Sequence, residues 1–277
     1  MDIRFSTDPA AFRTMTSAQL RASFLLEKLF LPDAVPMVYS DIDRSITGSA
    51  VPVNGPLPLL ASKKEMAAEH FADRREIGVI NIGSPGTITV DGKEYPMVHR
   101  DGLYIGRGSK EVLFASNDPA KPARFYFVSY PAHHVYPLAH IRFSEAERAP
   151  LGSQKDANRR TIYRYIHPRG VPSCQLVMGF TELDEGSVWN TMPPHTHQRR
   201  SEVYMYFNVA PEAVVFHMMG TPEETKHIVM RNEQAVLSPC WSIHAGVATQ
   251  AYCFIWAMGG ENQVFEDMDG VAMTAIG

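Results

Sequence analysis

Three histidines and one glutamate set the chemistry open to this chain. His195 and His197 stand in Pro193-Pro194-His195-Thr196-His197, Glu202 comes five residues after His197, and His244 follows a turn at Ser238-Pro239-Cys240. Alternate side chains of a strand share a face, so His195 and His197 point the same way and Thr196 points outward. On an unbroken strand Glu202 would face away from them. The polar stretch 198–201 therefore reads as a bend or bulge that turns the carboxylate back. The run 202–207 carries Glu202, Tyr204 and Tyr206 on one face and Val203, Met205 and Phe207 on the other. Three imidazoles and a carboxylate on neighbouring strands form a ligand set for a divalent transition metal. A lone His-x-His usually marks nothing. What separates this set from scattered polar residues is the carboxylate at reachable spacing and the third histidine on its own strand.

The elements that must hold these ligands are short strands. Runs at 77–82, 86–90, 99–105, 112–116 and 124–129 are divided by turn signals such as Gly83-Ser84-Pro85-Gly86 and Asp91-Gly92. Further runs follow at 175–182, 202–208, 213–219, 227–230, 234–237, 241–244 and 251–258. Strands at this spacing predict a β-sandwich or barrel. Helical spacing is confined to 16–30, capped by Thr16 or Ser17 and ended by Pro32, and to 62–75. The segment 131–172, with His133, His134, Pro137 and Ala149-Pro150, reads as a connector. Adjacent residues of a strand face opposite ways, so His133 and His134 are polar surface and not a second metal pair. Gly106-Arg107-Gly108 between strands is a turn, not a phosphate loop.

Composition narrows the function classes. The 277 residues hold 26 basic and 30 acidic side chains, a net charge of −4 that argues against a nucleic-acid surface. No apolar run is long enough to span a bilayer and no secretory signal is visible, so no membrane role is expected. Cys174, Cys240 and Cys253 are odd in number and lack a CxxC spacing, which fits a reduced cytoplasm.

The two halves of the chain echo each other. Arg74-Arg75-Glu76-Ile77 parallels Arg199-Arg200-Ser201-Glu202-Val203, and Arg100-Asp101-Gly102 parallels the run that starts at Arg231, each with a one-residue shift allowed. The first half has no His-x-His before Glu76, and Glu111 or Val112 stands near the counterpart of His244. The expected fold is all-β dominated, with two related β-barrels and a few short helices, mainly N-terminal. The expected domains are a metal-free N-terminal barrel with a helical extension over 1–130, a connector over 131–172, and a metal-binding C-terminal barrel over 173–277.

The order His-x-His-x4-Glu, then Pro-x4-His, resembles the metal motifs of the cupin superfamily. Within it, the chain resembles the 5-keto-4-deoxyuronate isomerase family, the 4-deoxy-L-threo-5-hexosulose-uronate ketol-isomerases. The matching stretches include Met37-Val38-Tyr39-Ser40, Asn190-Thr191-Met192-Pro193-Pro194-His195-Thr196-His197 and Gly260-Glu261-Asn262-Gln263-Val264-Phe265, and they span nearly the whole chain. The resemblance implies one Zn2+ per chain at His195, His197, Glu202 and His244, a site that other divalent transition metals could also fill. It implies a fold of two cupin-like β-barrels (a bicupin), a hexamer, and a place in pectin and uronate breakdown. It implies aldose–ketose isomerisation of 5-dehydro-4-deoxy-D-glucuronate to 3-deoxy-D-glycero-2,5-hexodiulosonate.

Such a reaction moves a proton between adjacent carbons and needs an acid and a base. Glu202 is committed as a ligand. Tyr206, on the same strand face, and Glu261 are the candidates for proton transfer, with simple packing an equal reading for Tyr206. The substrate's carboxylate calls for arginine or lysine, and Arg159, Arg160, Arg199, Arg200 and Lys226 are available. Arg160 is the choice among them. Trp189, Met192 and Trp241 are expected to shape the pocket, and His217 and His227 to be structural. Two rival functions fit the same ligands. One is an Fe(II) cupin dioxygenase, to be recognised by oxygen uptake. The other is a non-catalytic sugar-binding cupin, to be recognised by binding without turnover.

Overall fold

The structure, a computed structural model, describes residues 1–277. Strands dominate it, and its helices are short. The chain forms two compact units. The first comprises Met1–Ile3, Lys28–Ala146 and Tyr165–Val177, and the second Arg4–Glu27, Glu147–Arg164 and Met178–Gly277.

In the first unit a seven-stranded antiparallel sheet has Phe125–Pro131 between Ile46–Ala50 and Arg75–Asn81, with Gly102–Ile105 beyond. A four-stranded sheet runs Leu57–Pro58, Val112–Ser116, Gly86–Val90, Lys93–Met97. Period-2 alternation makes the core. Ile77, Val79, Leu103, Ile105, Phe125 and Phe127 of the larger sheet pack with Ile88, Val90, Val112 and Phe114 of the smaller one. Phe114 stacks on Phe127 with ring centroids 6.1 Å apart. Burying each such ring stabilises the unit by roughly 1.5–3 kcal/mol. Asp91 and Gly92 both take positive φ (49° and 79°), as a two-residue hairpin turn of this hand requires.

The second unit repeats the plan. Its seven-stranded sheet runs Glu147–Leu151, Arg160–Ile166, Val177–Leu183, Cys253–Gly260, Arg200–Phe207, Gln234–Ser238, Leu25–Leu26. Its four-stranded sheet runs Trp189–Asn190, Ile243–Ala248, Val215–Thr221, Glu224–Met230. A two-stranded sheet joins His195–Thr196 to Asp269–Gly270.

Several expectations are corrected here. The strands of each unit form separate sheets and do not join into a hydrogen-bonded closed barrel. The expected helix over 16–30 is shorter, α2 (Ser17–Phe24), and a second short helix, α1 (Pro9–Thr14), precedes it. Thr16 caps α2 in a reciprocal box with Gln19. The chain then turns extended at Leu25 and adds Leu25–Leu26 to the sheet edge, where both leucines are buried. The second helix is only Lys63–Met66, because Ala67 takes a left-handed conformation (φ 49°). The presumed connector contains the strands Ala139–Ile141, Glu147–Leu151 and Arg160–Ile166. The boundaries 1–130, 131–172 and 173–277 thus differ from the compact units, since α1 and α2 and the pair Glu147–Leu151 and Arg160–Ile166 complete sheets and faces of the second unit.

Candidate metal centre

His195, His197, Glu202 and His244 come together in the second unit, with one ligand atom of each within 4.8 Å of all the others. They arrive on three pieces of backbone. His195 lies on the two-residue strand His195–Thr196, and His197 follows at its end. The chain turns at Gln198 and Arg199, and the Arg200 N–H closes the turn on the His197 carbonyl at 3.1 Å. Glu202 sits in the middle of the large sheet, opposite Ser238 and Met258. His244 comes from the smaller sheet, opposite Met219. Thr196, expected to point outward, is buried instead.

The distances suit an ion. Nε2 of His195 lies 3.1 Å from Nε2 of His197 and 3.0 Å from Nε2 of His244. Oε2 of Glu202 lies 3.2 Å from His197 Nε2 and 2.9 Å from His244 Nε2. Four ligand atoms at about 2.0–2.1 Å from a tetrahedral ion would stand about 3.3 Å from one another. Orientation also fits. His197 Nδ1 is 2.6 Å from the Asp267 carbonyl, which can only accept, so Nδ1 carries the proton and Nε2 offers its lone pair to the cluster. The Asp267 carboxylate is held in turn by Arg199 at 2.8 Å and Asn262 at 2.6 Å. Arg200, fully buried, donates to the carbonyls of Val264, Phe265 and Asp267 and ties down the same segment.

Electrostatics favour the deprotonated forms of His195 and Glu202. Burial pushes the His195 imidazole down to about 2, with His244 and His197 adding to the effect. Burial opposes ionisation of Glu202, but His244 and His197 outweigh it and hold the carboxyl well below the usual range. The donor set is imidazole nitrogens and a carboxylate, which fits a divalent transition metal.

The ligands open into a cavity of about 220 Å³ lined by Arg160, Asn190, Thr191, Tyr204, Trp256 and Phe265 among others. Of the expected carboxylate binders, only Arg160 lines it. Arg159 is paired with Asp184 at 2.6 Å, Arg199 with Asp267 and Asp269, and Lys226 with the carbonyls of Arg13 and Met15. Arg160 donates Nη1 to the Asn158 carbonyl, its buried Nε has no partner in the chain, and burial lowers its pKa.

The two expected proton-transfer residues do not line the cavity. The Tyr206 hydroxyl is 2.8 Å from His217 Nδ1 in the buried interior, and Glu261 is exposed. Tyr204, two residues nearer the ligands on the same face, does line it. Its ring lies 5.5 Å from that of His244, and burial keeps its phenol protonated far above the ordinary range. The alternation that put Tyr206 beside Glu202 marks Tyr204 equally, so the signal was present in the sequence. Met192 lines the cavity, whereas Trp189 and Trp241 do not; Trp241 packs on Phe12 and donates to the Thr7 carbonyl. His217 is buried against Tyr206 and Ser238, and burial pushes it down to about 3; His227 is exposed.

Fold and site together define a mostly-β protein of cupin-like architecture with a three-histidine, one-glutamate cluster fit for a metal. The fold is shared with an IolB-like protein from Salmonella typhimurium LT2 (TM-score 0.69, 13% identity, 87% of this chain and 94% of that one). It is also shared with a point mutant of Bacillus subtilis oxalate decarboxylase (TM-score 0.57, 10% identity, 79% and 70%). The profile of the KduI/IolB family matches residues 40–273, and the chain belongs to that family. Two full-length relatives are named 4-deoxy-L-threo-5-hexosulose-uronate ketol-isomerase. One, from Caldicellulosiruptor bescii, is 52% identical over 276 residues and all of both chains. The other, from Escherichia coli O8, is 54% identical over 274 residues and 99% of each.

Proposed function

We propose that this chain is a metal-dependent ketol-isomerase that converts 5-dehydro-4-deoxy-D-glucuronate to 3-deoxy-D-glycero-2,5-hexodiulosonate in uronate breakdown. The observation that carries the reading is the full-length identity of 52% and 54% to relatives of that name. The cavity adds the chemistry that such a substrate needs. Arg160 takes the substrate's carboxylate with its guanidinium. The apolar wall of Ile162, Phe254, Trp256, Met258 and Phe265 keeps water from the enediol. The reaction removes the proton from the hydroxyl-bearing carbon beside the aldehyde and returns one to the former aldehyde carbon. The carbonyl shifts by one carbon with no net redox change. The Tyr204 hydroxyl, held protonated, donates a hydrogen bond to the oxygen that gains charge in between.

His195, His197, Glu202 and His244 would hold one Zn2+ per chain, and Zn2+ would supply Lewis-acid polarisation of the substrate's oxygens. Further parts of the proposal are a bicupin architecture with a metal-free first half, a hexamer, and a cytoplasmic location. No helix is long and apolar enough to cross a membrane. The test is an isomerase assay on 5-dehydro-4-deoxy-D-glucuronate with metal-loaded and chelated protein, run beside an oxygen electrode and elemental analysis. Turnover without oxygen uptake, lost on chelation and restored by Zn2+, is expected. Stoichiometric oxygen uptake, or uronate binding without turnover, would overturn the reading.

A further inference from the structure

A second cavity, of about 280 Å³, lies in the first unit. Its position in the strand plan follows from register. The strands Arg75–Asn81 and Arg200–Phe207 both start on a buried arginine and occupy the same place in their sheets, between the counterpart strands Phe125–Pro131 and Gly102–Ile105 in one case and Cys253–Gly260 and Gln234–Ser238 in the other. Ile77 pairs with Ile105, the last residue of its strand, as Glu202 pairs with Ser238, the last of its own. Ile77 is therefore the counterpart of Glu202, and Arg75 that of Arg200. Arg75 shares the inward face of Ile77 and Val79, which lie in the core between the sheets. The cavity stands at that end of the first unit.

Its lining is cationic. Arg44, Arg74 and Arg75 line it with Tyr39, and the one lining carboxylate, Glu65, is paired with the Met1 amino group at 2.9 Å. Arg75 is 9% exposed. Its Nε donates to Ser129 Oγ at 3.0 Å, and Nη2 donates to the carbonyls of Ser129 and Arg44 at 2.8 and 2.6 Å. Those three bonds use every N–H except the two on Nη1, and no carboxylate pairs with the guanidinium. Glu76 acts on this cation only through space, so a guanidinium this buried, with one nitrogen left over, has no carboxylate in direct contact. Ile46, Met66, Phe71 and Pro131 supply apolar wall beside it. The size falls just under the ~300 Å³ at which small-molecule pockets begin.

We infer that this cavity is a binding site for a small organic carboxylate, whose carboxyl group sits on Arg75 Nη1 and whose carbon body lies against Ile46, Phe71 and Pro131. The fork geometry of arginine suits a carboxylate, and the apolar wall selects an organic acid over inorganic phosphate. The site is independent of the metal centre and of the proposed isomerase activity.

The experiment uses metal-loaded, full-length protein carrying Arg160→Ala, which silences the expected carboxylate site in the second unit. Hexanoate is titrated by calorimetry, with hexanol and inorganic phosphate as the neutral and inorganic controls. Saturable binding of hexanoate alone is expected. Adding Arg75→Met should weaken it at least about tenfold, the loss of one charge-assisted hydrogen bond. Arg74→Gln, at an exposed position, should weaken it about threefold while leaving the fold unchanged. If Arg75→Met does not fold, hydrogen exchange on the parent protein decides, because hexanoate should slow exchange at 44–46 and 129–130. No saturable binding, equal binding of phosphate, or hexanoate binding untouched by Arg74→Gln with no protection of those segments would each overturn the assignment.

Discussion

Glu76 is the residue that the repeat pairs with Glu202, and replacing it with glutamine separates structural from metal-binding roles. Its carboxylate is fully buried within the first unit. Oε1 accepts the N–H groups of Gln175 and Leu176 at 2.7 and 2.9 Å, and Oε2 accepts the Cys174 N–H at 2.7 Å and the Tyr104 hydroxyl at 2.8 Å. Four donors thus converge on two oxygens. In Glu76→Gln one oxygen remains and can serve Gln175 and Leu176. The new amide nitrogen then faces the Cys174 N–H, donor against donor, and the Tyr104 hydroxyl must turn to accept. A buried donor left unpaired costs ~1–3 kcal/mol, and the surviving bonds lose their charge assistance. The sum comes to roughly 3 kcal/mol, against a typical whole-domain stability of about 5–15 kcal/mol. Urea unfolding of wild type and variant, with hydrogen exchange at 174–176 as the local readout, measures it. Elemental analysis of the same samples should give an unchanged metal content of one ion per chain. A variant within ~0.5 kcal/mol of wild type would refute the hydrogen-bond reasoning. A variant that loses an ion would show that the first unit binds metal after all.

Other outcomes follow from the second unit. His197→Ala or His244→Ala should lose most bound metal and isomerase activity while the circular dichroism of the sheets stays unchanged; full activity in metal-depleted His244→Ala protein would sink the metal assignment. Asn262→Ala should weaken metal binding about tenfold in a chelator competition, because Asn262 helps fix the Asp267 loop whose carbonyl orients His197. Burial pushes His217 down to about 3 from an unfolded value near 6.5, so its contribution is complete above about pH 6.5 and is lost as the pH falls toward 3. Metal-free wild type should therefore lose urea resistance between pH 6.5 and 4.5 more steeply than His217→Gln, and parallel curves would contradict this.

The clustering of His195, His197, Glu202 and His244 was legible because much of its geometry is local. Two histidines two apart, a bend, and a carboxylate opening a strand are written in consecutive residues, and the third histidine follows a proline turn. The strand runs of both units were legible for the same reason, since alternation shows in any short window. What escaped rests on partners far apart in sequence. The carbonyl of Asp267 behind His197 is a backbone acceptor and leaves no mark on residue type. Glu147–Leu151 is an edge strand with a proline and mostly exposed side chains, so its burial pattern carries no alternation to find. Leu25 and Leu26 continue a helical spacing, yet the sheet edge they cover wins them as a strand. The choice between Tyr204 and Tyr206 turned on depth along one strand face, which periodicity leaves open.

The repeat shows how little sequence separates the two sites. Read along the chain, Arg-Arg-Glu at 74–76 and Arg-Arg-Ser-Glu at 199–202 invite the pairing of the two glutamates. Read along the sheets, Arg75 matches Arg200, and the extra Ser201 moves the second glutamate one residue further. In a strand that single step exchanges the faces. Glu202 points inward to His197 and His244, whereas Glu76 points away from the core and takes the N–H groups of 174–176. The inward counterpart in the first unit is Ile77, which packs with Val79 and Phe127. A metal site could not be restored there by adding histidines around Glu76, because its carboxylate is on the wrong face and already holds four hydrogen bonds. What remains at the inward end is Arg75, so the same place in the strand plan carries a cation where its counterpart brings together three histidines and a glutamate that could hold one.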